Sequence, residues 1–206
     1  MTQAIIIRHG QTAWNEGRGE RFRGRAEIDL DELGVKQAEA TARRLARWKV
    51  EAVYSSPLVR AVRTAQILAK KFNLQPQIAS GLIDIDYGEW QGLSLKEAEA
   101  QDNKLYSRWL YSPHLVTFPR GESLEQVQKR VVAQLNSLFL RHLEQTILLV
   151  SHKVVCKVLI LSLLGLGLPH FWQVEQDTCA INLVEKRGNN IVVKLLNDTC
   201  HLKNLR

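Results

Sequence analysis

Ala4-Ile5-Ile6-Ile7-Arg8-His9-Gly10: four apolar residues, three of them β-branched, run without a break into an arginine, a histidine and a glycine. A continuous apolar run without polar alternation reads as a strand covered on both faces, the habit of parallel sheets in α/β proteins. Ligands of such sheets bind beyond the carboxyl ends of the strands. Arg8 and His9 therefore fall where a ligand is expected. The pattern recurs at Thr146–Ser151, which runs into His152, and at Val50–Ser55, which runs through Ser56-Pro57 into a helix with Arg60 in its first turn. Two histidines and two arginines converge on one rim if these three strands are neighbours. His9 and His152 lie 143 residues apart (152 − 9), so only the fold can join them.

Helical patterns fill the intervals. Residues 31–47 place Leu33, Ala38, Ala42, Leu45 and Ala46 near one face, and about 57–72 stacks Leu58, Ala61, Ala65, Leu68 and Ala69. Pro57 suits the first helical position. Further helices are expected from Glu122-Ser123 to about Leu143 and over Val154–Leu168. Ala180–Glu185 and Ile191–Leu196 flank Arg187-Gly188-Asn189-Asn190, a hairpin signal. The expected fold class is α/β: a three-layer α/β/α sandwich, its sheet mostly parallel with an antiparallel edge strand. No repeat or Pro/Gly/Ser linker divides the chain, so residues 1–206 are read as a single domain.

Composition narrows the function. Among 206 residues, 28 Lys and Arg against 21 Asp and Glu give a formal charge of +7, with 45% hydrophobic and 24% charged residues. These fractions exclude disordered, collagen and coiled-coil classes. Cys156, Cys179 and Cys200 form no disulfide framework, which fits a reducing, cytoplasmic setting. No secretory signal is read at the N-terminus. The greasiest stretch, Val154–Leu168, holds Lys157 and Ser162 and is shorter than the ~18 apolar residues a membrane span needs, so no membrane partner is expected. The charge also raises nucleic acid, through Arg18, Arg21, Arg23 and Arg25 in one loop. Glu16 and Glu20 dilute that loop, and apart from Phe22 it lacks stacking aromatics. It reads better as the rim of a phosphate site or a solvated face.

The four strand-end residues suit one chemistry. Guanidinium forks match phosphate oxygens, and a neutral imidazole can act as a nucleophile. A second, protonated imidazole and the arginines would stabilise a transferring phosphoryl group. No Asp, Glu or Cys lies at ligand spacing near His9 or His152, so neither a metal nor another cofactor is expected. The expected partner is a small phosphorylated metabolite.

Six ordered blocks carry a resemblance: Ile6-Ile7-Arg8-His9-Gly10-Gln11-Thr12-x-Trp14-Asn15; Asp29-Leu30-x-x-x-Gly34-x-x-Gln37-Ala38; Tyr54-Ser55-Ser56-Pro57-Leu58-x-Arg60-Ala61-x-x-Thr64-Ala65; Asp86-Tyr87-Gly88-Glu89-Trp90-x-Gly92; Gly121-Glu122-Ser123; and Val150-Ser151-His152. Together they resemble the histidine phosphatase superfamily, in its phosphoglycerate mutase-like branch, over essentially the whole chain. The resemblance implies that His9 is phosphorylated and that Arg8, Arg60 and His152 line the phosphate pocket, with Asn15, Arg23 and the backbone near Gly24 assisting. It also implies a homodimer. The family's proton donor is usually a Glu four residues before the Gly of the Gly-x-Trp block. Asp84 stands there, one methylene shorter, with Asp86 or Glu89 as substitutes; strand alternation would put Asp86 on the same side as Asp84.

The segment from Asp84 to His152, 68 residues (152 − 84), looks too short for the extra segment of the mutases. Leu82–Gly92, Trp109-x-x-x-Pro113-His114-x-Val116-x-Phe118 and the tail Asn197-x-Thr199-Cys200-His201-Leu202 are similar to the metal-independent phosphoserine phosphatases. On that likeness the chain hydrolyses L-phosphoserine, Tyr87, His201 and Leu202 approach the substrate under a closing tail, and Trp109 is a lid residue. The alternatives are an α-ribazole or broad-specificity phosphatase and, further off, a phosphoglycerate mutase or a non-catalytic binding member.

Overall fold

The computed structural model describes residues 1–15, 20–188 and 190–205. Its sheet is built from β1 (Thr2–Arg8), β2 (Ala52–Ser55), β3 (Gln77–Ile78), β4 (Thr146–Ser151), β5 (Ile181–Arg187) and β6 (Asn190–Asp198), in the order β3-β2-β4-β1-β5-β6. β3, β2, β4 and β1 are parallel, while β5 and β6 run antiparallel at the other side. The helices are α1 (Glu32–Leu45), α2 (Val59–Ala69), α3 (Leu95–Gln101), α4 (Asn103–Tyr111), α5 (Leu124–Arg141) and α6 (Lys153–Leu163).

Period-2 alternation sorts the strand residues between two cores. Ile5, Ile7, Val53, Leu148 and Val150 pack with Ala42, Leu45, Ala61, Ala65 and Leu68 of α1 and α2. Ala4, Ile6, Tyr54, Ile147 and Leu149 pack with Val131, Leu135, Val155 and Leu159 of α5 and α6. The result is the three-layer α/β/α arrangement, mostly parallel, with antiparallel edge pairing. Among the described residues no helix is long and apolar enough to cross a membrane.

Local chemistry sets the element ends. The Asp31 carboxylate accepts from Gly34 N at 2.7 Å and caps α1, and reciprocal Ser123–Gln126 bonds cap α5. Two expectations change, and one strand is new. Pro57 does not open α2: Leu58 is extended (φ −71°, ψ 139°), the helix starts at Val59, and Ser56 is tethered to β4 through its N–H to the Val150 carbonyl. α6 stops at Leu163 rather than Leu168, because Gly165 takes a left-handed conformation (φ +69°) that ends helices. The short edge strand β3 had no sequence signal of its own. In the hairpin, Arg187 pairs with Asn190, while Asn189 lies outside the described residues.

Candidate active site

β4 lies between β1 and β2, so the three parallel strands that end in chemistry are adjacent. Arg8 pairs with Ser151 and Ser55 with Val150, and the His9 N–H donates to the Ser151 carbonyl at 2.9 Å. His9 and His152 end with ring centroids 5.2 Å apart, both fully buried.

The loop bearing His9 is fixed by close backbone approach. A Cβ on Gly10 would meet the Gly34 carbonyl oxygen at 2.5 Å, so β1 and the first turn of α1 meet only through paired glycines. The Gly10 N–H donates to Thr64 Oγ1 on α2 and the Gln11 N–H to Gln37 Oε1 on α1. Held this way, His9 Nδ1 lies 2.6 Å from the Gly10 carbonyl oxygen. A carbonyl only accepts, so Nδ1 carries the proton and Nε2 presents its lone pair. Nε2 is buried and has no hydrogen-bond partner among the described residues. Burial, then Arg23, Arg60, His152 and Arg8, push the His9 imidazole well below its ordinary value, which keeps it neutral.

Three guanidinium groups surround it. Arg8 Nη1 donates to the Gln176 carbonyl at 2.7 Å. Arg60, with no exposed surface, donates to the Ala26 carbonyl at 2.8 Å, the Gly24 carbonyl at 2.6 Å and Asp84 Oδ2 at 3.1 Å. Gly24 holds φ +48°, and a Cβ there would press on the Ile85 carbonyl. Arg23 Nη1 donates to Thr12 Oγ1 at 2.8 Å and Asn15 Oδ1 at 2.9 Å; burial and the other two arginines pull its pKa down to about 9, still cationic at neutral pH. His152 Nε2 meets Ser56 Oγ at 2.7 Å, and its Nδ1 stands 3.6 Å from Asp84 Oδ2. Asn15 Nδ2, Arg23 Nε and His152 Nδ1 are buried without hydrogen-bond partners among the described residues. Buried donors are normally satisfied, and an anion would satisfy these.

The geometry brings Arg8, His9, Asn15, Arg23, Gly24, Arg60, Asp84 and His152 together, and Tyr87 lines the same 70 Å³ cavity as Asp84. It corrects five expectations. His152 is held neutral rather than protonated: burial, then Arg60 and Arg23, push it well below its ordinary value. Asp86 does not share a side with Asp84, because residues 83–87 form no strand; it accepts from Gly88 N and pairs with Arg25. Glu89 pairs with Arg120 instead. The tail does not close over the site: His201 Nε2 bonds Thr41 Oγ1 at 2.9 Å on α1, and Leu202 is buried against Ala38, Ala40 and Cys179. Trp109 is buried among Tyr87, Phe118, Phe171 and Trp172, a wall rather than a lid. Of the Arg-rich loop, Glu16 and Arg18 lie outside the described residues.

Sequence reasoning gave no role to Thr12, Thr64, Ser56, Gln176 or Lys153. The first three sit inside the quoted motif blocks. Gln176 has no local signal; it is fully buried and locked in a reciprocal amide pair with Asn182 of β5 at 2.7 and 2.9 Å. Among the described residues no group of three or more His, Cys, Asp or Glu is placed to hold a metal ion.

Comparison with known proteins agrees with this arrangement. The model of the histidine phosphatase superfamily (branch 1) matches residues 4–199. Phosphoserine phosphatase 1 of Hydrogenobacter thermophilus is 36% identical over 202 residues, 98% of this chain and 95% of that protein. YhfR of Bacillus stearothermophilus superposes with a TM-score of 0.94 at 28% identity, covering 98% of this chain and 100% of the other. A phosphoserine phosphatase mutant from Entamoeba histolytica, in complex with phosphoserine, superposes with a TM-score of 0.87 at 28% identity over 98% and 100% of the two chains. From its strand-end histidines to its sheet order, this chain belongs to the histidine phosphatase superfamily.

Proposed function

We propose that this chain hydrolyses L-phosphoserine to L-serine and phosphate through a phosphohistidine on His9, without a metal. It is a phosphoric monoester hydrolase. The observation that carries the mechanism is the state of His9: its Nδ1 is anchored to the Gly10 carbonyl while Nε2 stands buried and unpartnered among arginines. The phosphoryl oxygens are held by Arg8, Arg23, Arg60, Asn15 Nδ2 and His152, fixed dipoles and charges that need no reorganisation as charge shifts. His9 Nε2 attacks phosphorus, the bond from phosphorus to the seryl oxygen breaks, and Asp84 relays to that oxygen the proton that the phosphomonoester monoanion brings in. Serine leaves. Asp84, now a carboxylate, takes a proton from water, which attacks the phosphohistidine; the P–N bond breaks and phosphate departs.

The seryl substrate is supported by the 36% identical phosphoserine phosphatase and the superposable phosphoserine complex. Three free thiols, Cys156, Cys179 and Cys200, suit a cytoplasmic setting, and the open edge strand β6 suits pairing in a homodimer. A second reading, a broad-specificity phosphatase, is favoured by a 250 Å³ cavity walled by Phe22, Tyr106, Trp109 and Phe171 beside the phosphate pocket. The deciding experiment is a panel of phosphoserine, phosphothreonine, 3-phosphoglycerate and α-ribazole phosphate, assayed in EDTA. Phosphoserine should have the highest kcat/KM. Preference for another ester overturns the substrate, and no turnover in EDTA overturns the metal-free mechanism.

A further inference from the structure

Two cavities meet at the strand ends, and both are lined by Glu20, Arg21, Tyr87, Lys153 and Val154. One holds the phosphate-binding side chains; the other is the aromatic chamber, where the leaving group of a bound phosphomonoester would lie. Three of the five shared residues are charged, and they differ in how they are engaged. Arg21 is committed: its Nη1 donates to the Gly92 carbonyl at 2.7 Å and to Glu97 at 3.2 Å, and its guanidinium lies 5.8 Å from the Trp14 ring. The side chains of Lys153 and Glu20 have no ion pair or hydrogen bond, with each other or with any other described residue. Opposite charges at one mouth that leave each other unneutralised suit a ligand that carries both signs.

Their surroundings assign the signs. Lys153 is the first residue of α6, whose N-terminus has no side-chain cap. A lysine there opposes the helix dipole, whose positive end already favours anions; the two together make an anion site. Glu20 lies near Tyr87 and Tyr106 and helps hold their phenols neutral, after burial in both cases and after Asp84 and Glu99 respectively. A cation beside Glu20 would also meet tyrosine ring faces, which attract cations.

We propose that Lys153 and Glu20 clamp a zwitterionic leaving group, Lys153 binding the α-carboxylate and Glu20 the α-ammonium of an amino-acid phosphate ester. This rests on the phosphoserine reading and names the residues that would enforce it. The aromatic walls lower the local dielectric beside the clamp, which strengthens both charge contacts.

Four substrates separate the contacts: phosphoserine carries both charged groups, phosphoethanolamine only the ammonium, 3-phosphoglycerate only the carboxylate, and p-nitrophenyl phosphate neither. Each variant is normalised to its own p-nitrophenyl phosphate turnover, which removes effects of folding and of phosphate grip. Lys153→Met should lower the relative kcat/KM of phosphoserine and 3-phosphoglycerate by about tenfold to a hundredfold, the range for losing a charged hydrogen bond, mainly through KM. Lys153→Arg should recover most of it. Glu20→Gln should lower phosphoserine and phosphoethanolamine by a similar factor and raise 3-phosphoglycerate. A uniform loss over all four substrates in Lys153→Met would make Lys153 a phosphate ligand and overturn the clamp. Unchanged relative rates in both variants, with phosphoserine still turned over, overturn the clamp and leave the proposed function standing. Wild-type protein that ignores phosphoserine but hydrolyses p-nitrophenyl phosphate overturns the seryl reading itself.

Discussion

Asp84→Asn should move three measurements in different directions. Asp84 Oδ2 lies 3.1 Å from Arg60 Nη2 and 3.6 Å from His152 Nδ1, while Oδ1 accepts from the Ile85 N–H at 3.0 Å. The pair is buried, with side-chain exposures of 0% for Arg60 and 7% for Asp84. Removing one partner of a buried ion pair costs about 3–5 kcal/mol. Asparagine keeps an oxygen for Arg60, and Arg60 keeps the Gly24 and Ala26 carbonyls, which puts the loss at about 3 kcal/mol on the scale for buried pairs. At about 2–4 °C per kcal/mol for a chain of this size, Tm should fall by about 6–12 °C. The arginine cluster loses a counter-charge at the same time, so phosphate and vanadate should bind more tightly than to wild type. Without the acid, phosphoserine turnover should fall by about 10²–10⁴. p-Nitrophenyl phosphate should lose much less, because p-nitrophenolate departs without a proton. The assay is kcat on both substrates beside thermal melts with and without phosphate. Equal losses on the two substrates would remove Asp84 from the role of acid, and weaker phosphate binding would refute the charge argument.

Three further perturbations follow from the same geometry. The unfolded chain protonates His9 and His152 as pH falls below about 6.5, whereas their folded values are pushed well below that by burial and arginines; stability is therefore full above pH 6.5 and lost below it, by up to about 1.4 kcal/mol per pH unit for each histidine. Denaturant melts from pH 7.5 to 5.5 should show this fall, and His9→Gln should remove the share that His9 contributes; a flat profile would contradict it. Gly34→Ala places a Cβ 2.1 Å from the Gln11 carbonyl oxygen, and because backbone cannot yield cheaply it should lower both Tm and kcat; wild-type activity would refute the tight approach that fixes His9. Truncation after Thr199 removes His201 and Leu202 from α1 and should lower Tm while cutting phosphoserine and p-nitrophenyl phosphate turnover alike; a selective loss of phosphoserine would favour a tail that reaches the substrate.

Much of the fold is legible because buried parallel strands have a local signature. Thr146–Ser151 reads as a strand residue for residue, and the apolar run into Arg8 marks both a strand and its functional end. Arg8, His9, Arg60 and His152 are legible for the same reason: strand ends in this class of sheet are where ligands bind. What stays hidden depends on contacts distant in sequence. Asp86 looked equivalent to Asp84 on strand alternation, but residues 83–87 are irregular, and Arg25 holds Asp86 elsewhere. Gln176 supports Arg8 through its carbonyl, with its side chain held by Asn182, and no periodicity records an amide pair. The neutral state of His152 follows from desolvation and neighbouring arginines, which sequence cannot weigh. The tail carried motif residues, yet its docking on Thr41 and Ala38 follows from the apolar face of α1.

The proposed mechanism turns on a phosphoryl group carried on His9 Nε2. Rapid quenching with ³²P-labelled phosphoserine in EDTA tests it most directly. A labelled protein intermediate is expected that is stable in alkali and labile in acid, maps to the peptide containing His9, and is absent from His9→Ala. Full turnover with no trapped label, or label that persists in His9→Ala, would contradict it.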